Sequence, residues 1–123
     1  MKRILIVDDN RVIRRVIRQM LESCGFAVDE AGDGLQCLNH CLGQGVPDAI
    51  VLDINMPEMD GLTCLKTMRA DPAFQKCIIV MCTTQVEIQS IATALTSGAN
   101  EYVMKPFTEE ILRDKLRILG LLA

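Results

Sequence analysis

A chain of 123 residues has room for one ordinary domain and not for two separately packed cores, so a single domain spanning residues 1–123 is expected, with no second catalytic or DNA-binding unit. Hydrophobic residues make up 50% and charged residues 24%, which excludes disorder and fibrous repeats; aromatics at 3% with no Trp leave an aliphatic core and no platform for base stacking. Thirteen basic against 16 acidic residues give a net charge of −3, which disfavours attachment to nucleic acid or to anionic lipid.

The basic opening Met1-Lys2-Arg3 leads into an apolar run, Ile4 to Val7, that ends at Asp8-Asp9. That run is too short for a signal peptide, and no segment is long enough to span a bilayer. A cytoplasmic location is therefore expected. Ile4 to Val7, Ala49 to Leu52 and Ile78 to Cys82 are continuous apolar runs, the pattern of strands buried on both faces. Phe26 to Ala31 and Glu101 to Met104 mix apolar with polar residues and read as edge strands.

Helical spacing fills the intervals. Val12, Ile13, Val16, Ile17, Met20 and Leu21 oppose Arg11, Arg14, Arg15 and Arg18 in the first helix, whose arginines are expected to form a solvated face. Weaker copies follow in Leu35, Leu38 and Leu42; Leu62, Leu65 and Met68; Ile88, Ile91 and Leu95; and Ile111, Leu112, Lys115 and Leu119. The six cysteines, at positions 24, 37, 41, 64, 77 and 82, fall within these periodic segments with no export signal, so reduced thiols are expected. Cys37, His40 and Cys41 share one helical face at a spacing that suits a soft metal, but no fourth ligand is evident, and buried thiols are the expected reading.

Five alternations of strand and helix imply an α/β fold: a doubly wound, five-stranded parallel sheet with helices on both faces. Three apolar strands and two mixed ones fit the flavodoxin-like order 2-1-3-4-5. Ligands of such sheets bind beyond the carboxyl ends of the strands, where the strand order reverses. Those ends carry Asp8-Asp9, Asp53, Thr83-Thr84 and Lys105-Pro106.

Three converging carboxylates repel one another unless they share a cation. Oxygen ligands without histidine suit Mg2+, with Mn2+ as a substitute, rather than Zn2+. Such a site also suits a phosphoryl group, with Lys105 neutralising one oxygen and the Thr83 hydroxyl donating to another. Asp53, alone at the end of the most buried strand, is then the candidate nucleophile for an aspartyl-phosphate. Each residue has a plainer reading as well: Asp9 as a helix cap, Asp53 as a turn residue, Thr83 as a strand end, and Lys105 as a surface charge.

The runs Ile6-Val7-Asp8-Asp9, Asp53-Ile54-Asn55-Met56-Pro57-Glu58-Met59-Asp60-Gly61, Thr83-Thr84 and Tyr102-Val103-Met104-Lys105-Pro106-Phe107 resemble, in order and spacing, the response-regulator receiver domain in its single-domain, CheY-like form. The resemblance implies that Asp53 is the phospho-acceptor and that Asp9 and Asp53 ligate the metal directly, with Asp8 acting through water and the Asn55 backbone carbonyl completing the set. It further implies that Thr83 and Lys105 contact the phosphoryl group, that Tyr102 is a switch ring, and that the Lys105–Pro106 peptide is cis. Pro57 and Gly61 are read as turn punctuation, Gly61 through its access to positive φ. Thr84 departs from the small residue usual beside the phosphoryl site, and with Asn55 and Gln85 it flanks that site.

Three other functions compete. A haloacid-dehalogenase-like phosphatase would carry Asp-x-Asp at strand 1 and a capping segment, and a flavodoxin-like electron carrier would carry a phosphate loop where Asp8-Asp9-Asn10-Arg11 stands; a degenerate receiver used as a phosphorylation-independent docking module would not keep Asp8, Asp9, Asp53, Thr83 and Lys105 together. The expected function is a stand-alone, monomeric response regulator of a two-component or chemotaxis phosphorelay, with no enzymatic role beyond its own phosphorylation and dephosphorylation. Its expected partners are a histidine kinase or phosphotransfer protein and a separate output protein, the flagellar motor switch among the candidates. That output protein would bind the face of helix 4, strand 5 and helix 5. The alternatives are a phosphate carrier or sink within a relay, and a receiver excised from a hybrid kinase.

Overall fold

The computed structural model describes residues 1–84 and 89–123; Gln85 and Ile88, both named above, lie outside the described residues. Five strands, β1 (Arg3–Val7), β2 (Ala27–Ala31), β3 (Ala49–Asp53), β4 (Ile78–Thr83) and β5 (Glu101–Met104), alternate with five helices. The helices are α1 (Arg11–Ser23), α2 (Gly34–Gln44), α3 (Gly61–Arg69), α4 (Ser90–Thr96) and α5 (Glu109–Ile118). A 3-10 turn at Pro72–Phe74 precedes β4.

All five strands are parallel, in the order β2-β1-β3-β4-β5. Every residue of β3 is buried, as a central strand covered on both faces requires. Two apolar layers flank the sheet. One joins Leu5, Ile50, Leu52, Ile79 and Met81 to α2, α3 and α4 through Cys37, Leu65, Met68 and Ala94. The other joins Ile4, Ile6, Val51 and Val80 to α1 and α5 through Ile17, Leu21, Leu112 and Leu116. The alternation of side chains along each strand produces this division.

The apolar stripe of α1 is narrower than its sequence pattern. Ile17 and Leu21 are buried, whereas Val12 is 69% and Val16 43% exposed. Nor are all four arginines of this helix a solvated face, because Arg14 and Arg18 each pair with Glu30 of β2, at 2.9 and 2.7 Å. All six cysteines are free. Cys37 and Cys41 face the core, while His40 Nε2 comes within 3.4 Å of Asp29 Oδ2. Among the described residues, no helix is long and apolar enough to cross a membrane.

Candidate functional site

The site is assembled at the carboxyl ends of β1, β3, β4 and β5. Asp8 follows β1 directly, and its Oδ1 accepts from the Asn10 N–H at 2.9 Å. Arg14 Nη1 donates to the Asp8 carbonyl at 2.6 Å, fixing the turn from the side of α1. Asn10 caps that helix, its Oδ1 accepting from Val12 N and Ile13 N. The cap reading considered for Asp9 is thereby excluded: the neighbouring amide side chain does that work, and Asp9 stands exposed at the mouth of the site.

Asp53 closes β3 and is 4% exposed; Asp8 is 2% exposed. Carboxylate oxygens of Asp8, Asp9 and Asp53 all lie within 4.8 Å of one another, and among the described residues no other acid, histidine or cysteine group gathers in this way. From β5 the Lys105 ammonium reaches Asp8 Oδ2 at 3.1 Å and Asp53 Oδ1 at 3.2 Å. The Lys105–Pro106 peptide is cis. The Lys105 backbone N–H donates to the Thr83 carbonyl at 2.6 Å, tying the ends of β4 and β5 together.

One ammonium does not balance three carboxylates. Burial, then the Asp8 charge, pushes Asp53 up to about 6, against Lys105 and the Asn55 backbone N–H, which favour its ionised form. Burial works to lower Lys105, but Asp53 and Asp8 outweigh it and hold the ammonium above its ordinary value. Three clustered carboxylate oxygens without nitrogen or sulfur donors, one of them disfavoured in its charged form, are the donor chemistry of a hard divalent cation. The residues present fit Mg2+.

Thr83 is fully buried, its hydroxyl donating to the Thr84 carbonyl at 3.0 Å. Thr84, half-buried, stands with Lys105 and Pro106 at the end of an apolar groove of about 370 Å³ walled by Ile13, Val16, Ile17, Met20 and Phe107. Tyr102 on β5 is half-buried against the core, and Lys115 Nζ sits 4.8 Å from its ring centroid. Asn55 is exposed in the loop after Asp53.

Sequence reasoning misjudged that loop. Gly61 does not adopt positive φ; Glu58 does, at 64°. Gly61 is needed for space, since a Cβ there would overlap the Asp53 carbonyl oxygen and lie 2.8 Å from Ile54 Cα. The part played by Arg14 was also missed, because a hydrogen bond to a backbone carbonyl leaves no residue pattern.

Comparison with known proteins places this geometry. The response regulator receiver domain model matches residues 4–117. The chain is 36% identical to the chemotaxis protein CheY1 of Helicobacter pylori over 95% of each chain. It is 40% identical to the chemotaxis protein CheY-3 of Vibrio cholerae, covering 93% of this chain and 88% of that one. Among solved structures, the chemotaxis response regulator CheY4 of Vibrio cholerae superimposes with a TM-score of 0.88 at 30% identity, over 97% of this chain and 98% of that one.

Proposed function

The chain belongs to the response regulator receiver domain family, and from that premise we propose that it accepts a phosphoryl group on Asp53 and signals by phosphorylation-dependent protein binding. The observation that carries the reading is the placement of Asp53: a buried carboxylate beside two more acids and 3.2 Å from a lysine ammonium. Asp8 shares both neighbours, and Asp53 is set apart from it by closing the fully buried central strand β3. Asp53 Oδ attacks phosphorus, the donor's bridging atom leaves with the bonding pair, and an acyl phosphate remains.

Asp8, Asp9 and Asp53, with the Asn55 carbonyl, would hold Mg2+, which supplies charge neutralisation of the phosphoryl oxygens. Lys105, already poised between Asp8 and Asp53, neutralises a further oxygen. The Thr83 hydroxyl, which now donates to the Thr84 carbonyl, donates instead to the phosphoryl group. Beside the site, the groove between α1 and Phe107, which Lys105 also lines, gives a histidine kinase or phosphotransfer protein an apolar seat.

The product is read away from the chemistry, because Asp53 is too deep for a partner to touch. Tyr102, Met104 and Ile111 open a surface between β5 and α5, where Met104 is 37% and Ile111 45% exposed. That surface, together with α4, where Leu95 is 43% exposed, is the proposed seat of the output protein. The similarity to chemotaxis proteins favours an output at the flagellar switch, with the chain acting as a cytoplasmic monomer.

Incubation with acetyl phosphate and Mg2+ tests the reading. One added phosphoryl group, seen as a single mass increment that is absent in Asp53→Asn and suppressed by chelator, is expected. Labelling of the Asp53→Asn variant at the wild-type rate would place the nucleophile elsewhere.

A further inference from the structure

The basic residues of α5 are used in two ways. Arg113 and Arg117 pair along the helix itself, with Glu109 and Asp114. Lys115 reaches instead across to β5, where its Nζ lies 3.2 Å from Glu101 Oε1. This lysine falls within the apolar stripe of the helix, directly before the fully buried Leu116, and it is half-buried there.

The same Glu101 oxygen accepts the Tyr102 backbone N–H at 2.9 Å, so one carboxylate oxygen joins the backbone of the tyrosine to the ammonium. The ammonium is thereby held over the Tyr102 ring, 4.8 Å from its centroid. At that distance a cation is attracted to the electron-rich face of the ring. The side chains of Glu101 and Lys115 are 21% and 26% exposed, so water screens these contacts less than it would at an open surface.

We propose that Glu101 and Lys115 form a latch that holds the Tyr102 ring in its resting position, with Lys115 as a positioning residue for the switch. The inference rests on the reading of Tyr102 as the ring that responds to Asp53. An ion pair alone would be indifferent to where the ring lies. The ring contact is not, because turning the ring inward takes its face away from an ammonium that Glu101 keeps in place. The latch therefore opposes the inward packing, and phosphorylation has to outweigh it. Loss of the charge at Lys115 releases the ring without phosphate, and loss of the charge at Glu101 does so in part, by untying the ammonium.

Tyr102 is the only tyrosine of the chain, so protein grown with 13C,15N-labelled tyrosine yields its χ1 populations from three-bond couplings with no other ring in the spectrum. These couplings report the torsion itself and not the nearby charge. In unphosphorylated protein, Lys115→Met, which keeps most of the stem, is expected to raise the ratio of inward to outward rotamer about threefold, the worth of a cation–ring contact at a partly exposed site. Glu101→Gln should move the ratio the same way by less. Lys115→Arg should restore the wild-type ratio, since a guanidinium can make both contacts. Wild-type protein phosphorylated with acetyl phosphate and Mg2+ supplies the inward reference. An unchanged ratio in Lys115→Met, or a change in Lys115→Arg as large as in Lys115→Met, would overturn the latch while labelling of Asp53 stands. A wild-type ring that keeps its torsion on phosphorylation would overturn the reading of Tyr102 beneath it.

Discussion

Gly61 lies so close to Asp53 that a Cβ on the glycine would overlap the aspartate's carbonyl oxygen. The contact is drawn in by the Gly61 N–H, which donates to the Ile54 carbonyl at 2.8 Å and folds α3 back over the end of β3. Overpacking of this kind costs about 1–3 kcal/mol, and here the obstacle is backbone rather than a side chain that can swing aside. Gly61→Ala is therefore expected to lower the unfolding free energy by that amount, read as a fall in the urea midpoint. Because the displaced atoms belong to Asp53, phosphorylation by acetyl phosphate should also slow. A variant as stable and as reactive as the parent would show that the loop gives way freely.

This contact also marks what could and could not be read from residues alone. Strand order and the convergence of Asp8, Asp9, Asp53 and Lys105 were legible, because buried strands write continuous apolar runs and a parallel sheet delivers its strand ends to one edge. The conformations inside the Asp53 loop were not. Gly61 signals freedom in φ, yet its function is proximity, and positive φ falls on Glu58, a residue type with no preference for it. On α1, counting apolar residues overstated the buried stripe at Val12 and Val16. Counting charges missed that Arg14 and Arg18 converge on Glu30, since that pairing depends on β2 lying beside α1.

The raised Asp53 carboxyl implies that this residue, when ionised, destabilises the resting protein. A pKa of about 6 in the folded chain against 3.8 for the ordinary group means the native state holds this proton more tightly. The stabilising contribution is full below 3.8 and is lost as pH rises through about 6. In chelator at pH above 7, Asp53→Asn should be more stable than the parent by about 1–3 kcal/mol, and the difference should close as the pH approaches 4. Thermal melts of both proteins across that range provide the measurement; a less stable Asn variant throughout would contradict the argument.

Glu30 gives the opposite sign. Burial alone would raise it, but hydrogen bonds from Arg18 and Arg14 prevail and hold it below 4.5. Its contribution is present above 4.5 and is lost as pH falls through the lowered value. Glu30→Gln should therefore cost stability near neutrality and little once the parent's carboxylate is protonated. Part-exposed pairs are screened, so added salt should narrow the gap at neutral pH. Urea unfolding at neutral and acid pH, with and without salt, checks both halves; a penalty independent of pH would assign the effect to packing.

The proposed route from Asp53 to the proposed output face would rest on Thr83 and Tyr102. Thr83 is fully buried, and its hydroxyl is committed to the Thr84 carbonyl. Transfer of that hydrogen bond to a phosphoryl oxygen would draw the end of β4 toward Asp53. Thr83 also receives the Lys105 N–H and pairs with Met104 across the β4–β5 ladder. A shift of its backbone is therefore felt two residues from Tyr102. The Tyr102 ring, half-buried and capped by the Lys115 ammonium at 4.8 Å, can gain burial by turning inward, and burial of an aromatic ring is favourable. Phosphorylation would bias that packing only through contacts missing from the resting state. Thr83→Ala should accept phosphate yet bind its output partner weakly, while Tyr102→Ala should bind with an affinity indifferent to phosphorylation. Amide exchange on activation should change across residues 84–107. Unchanged exchange there, or full activation of the Thr83→Ala variant, would sink this route.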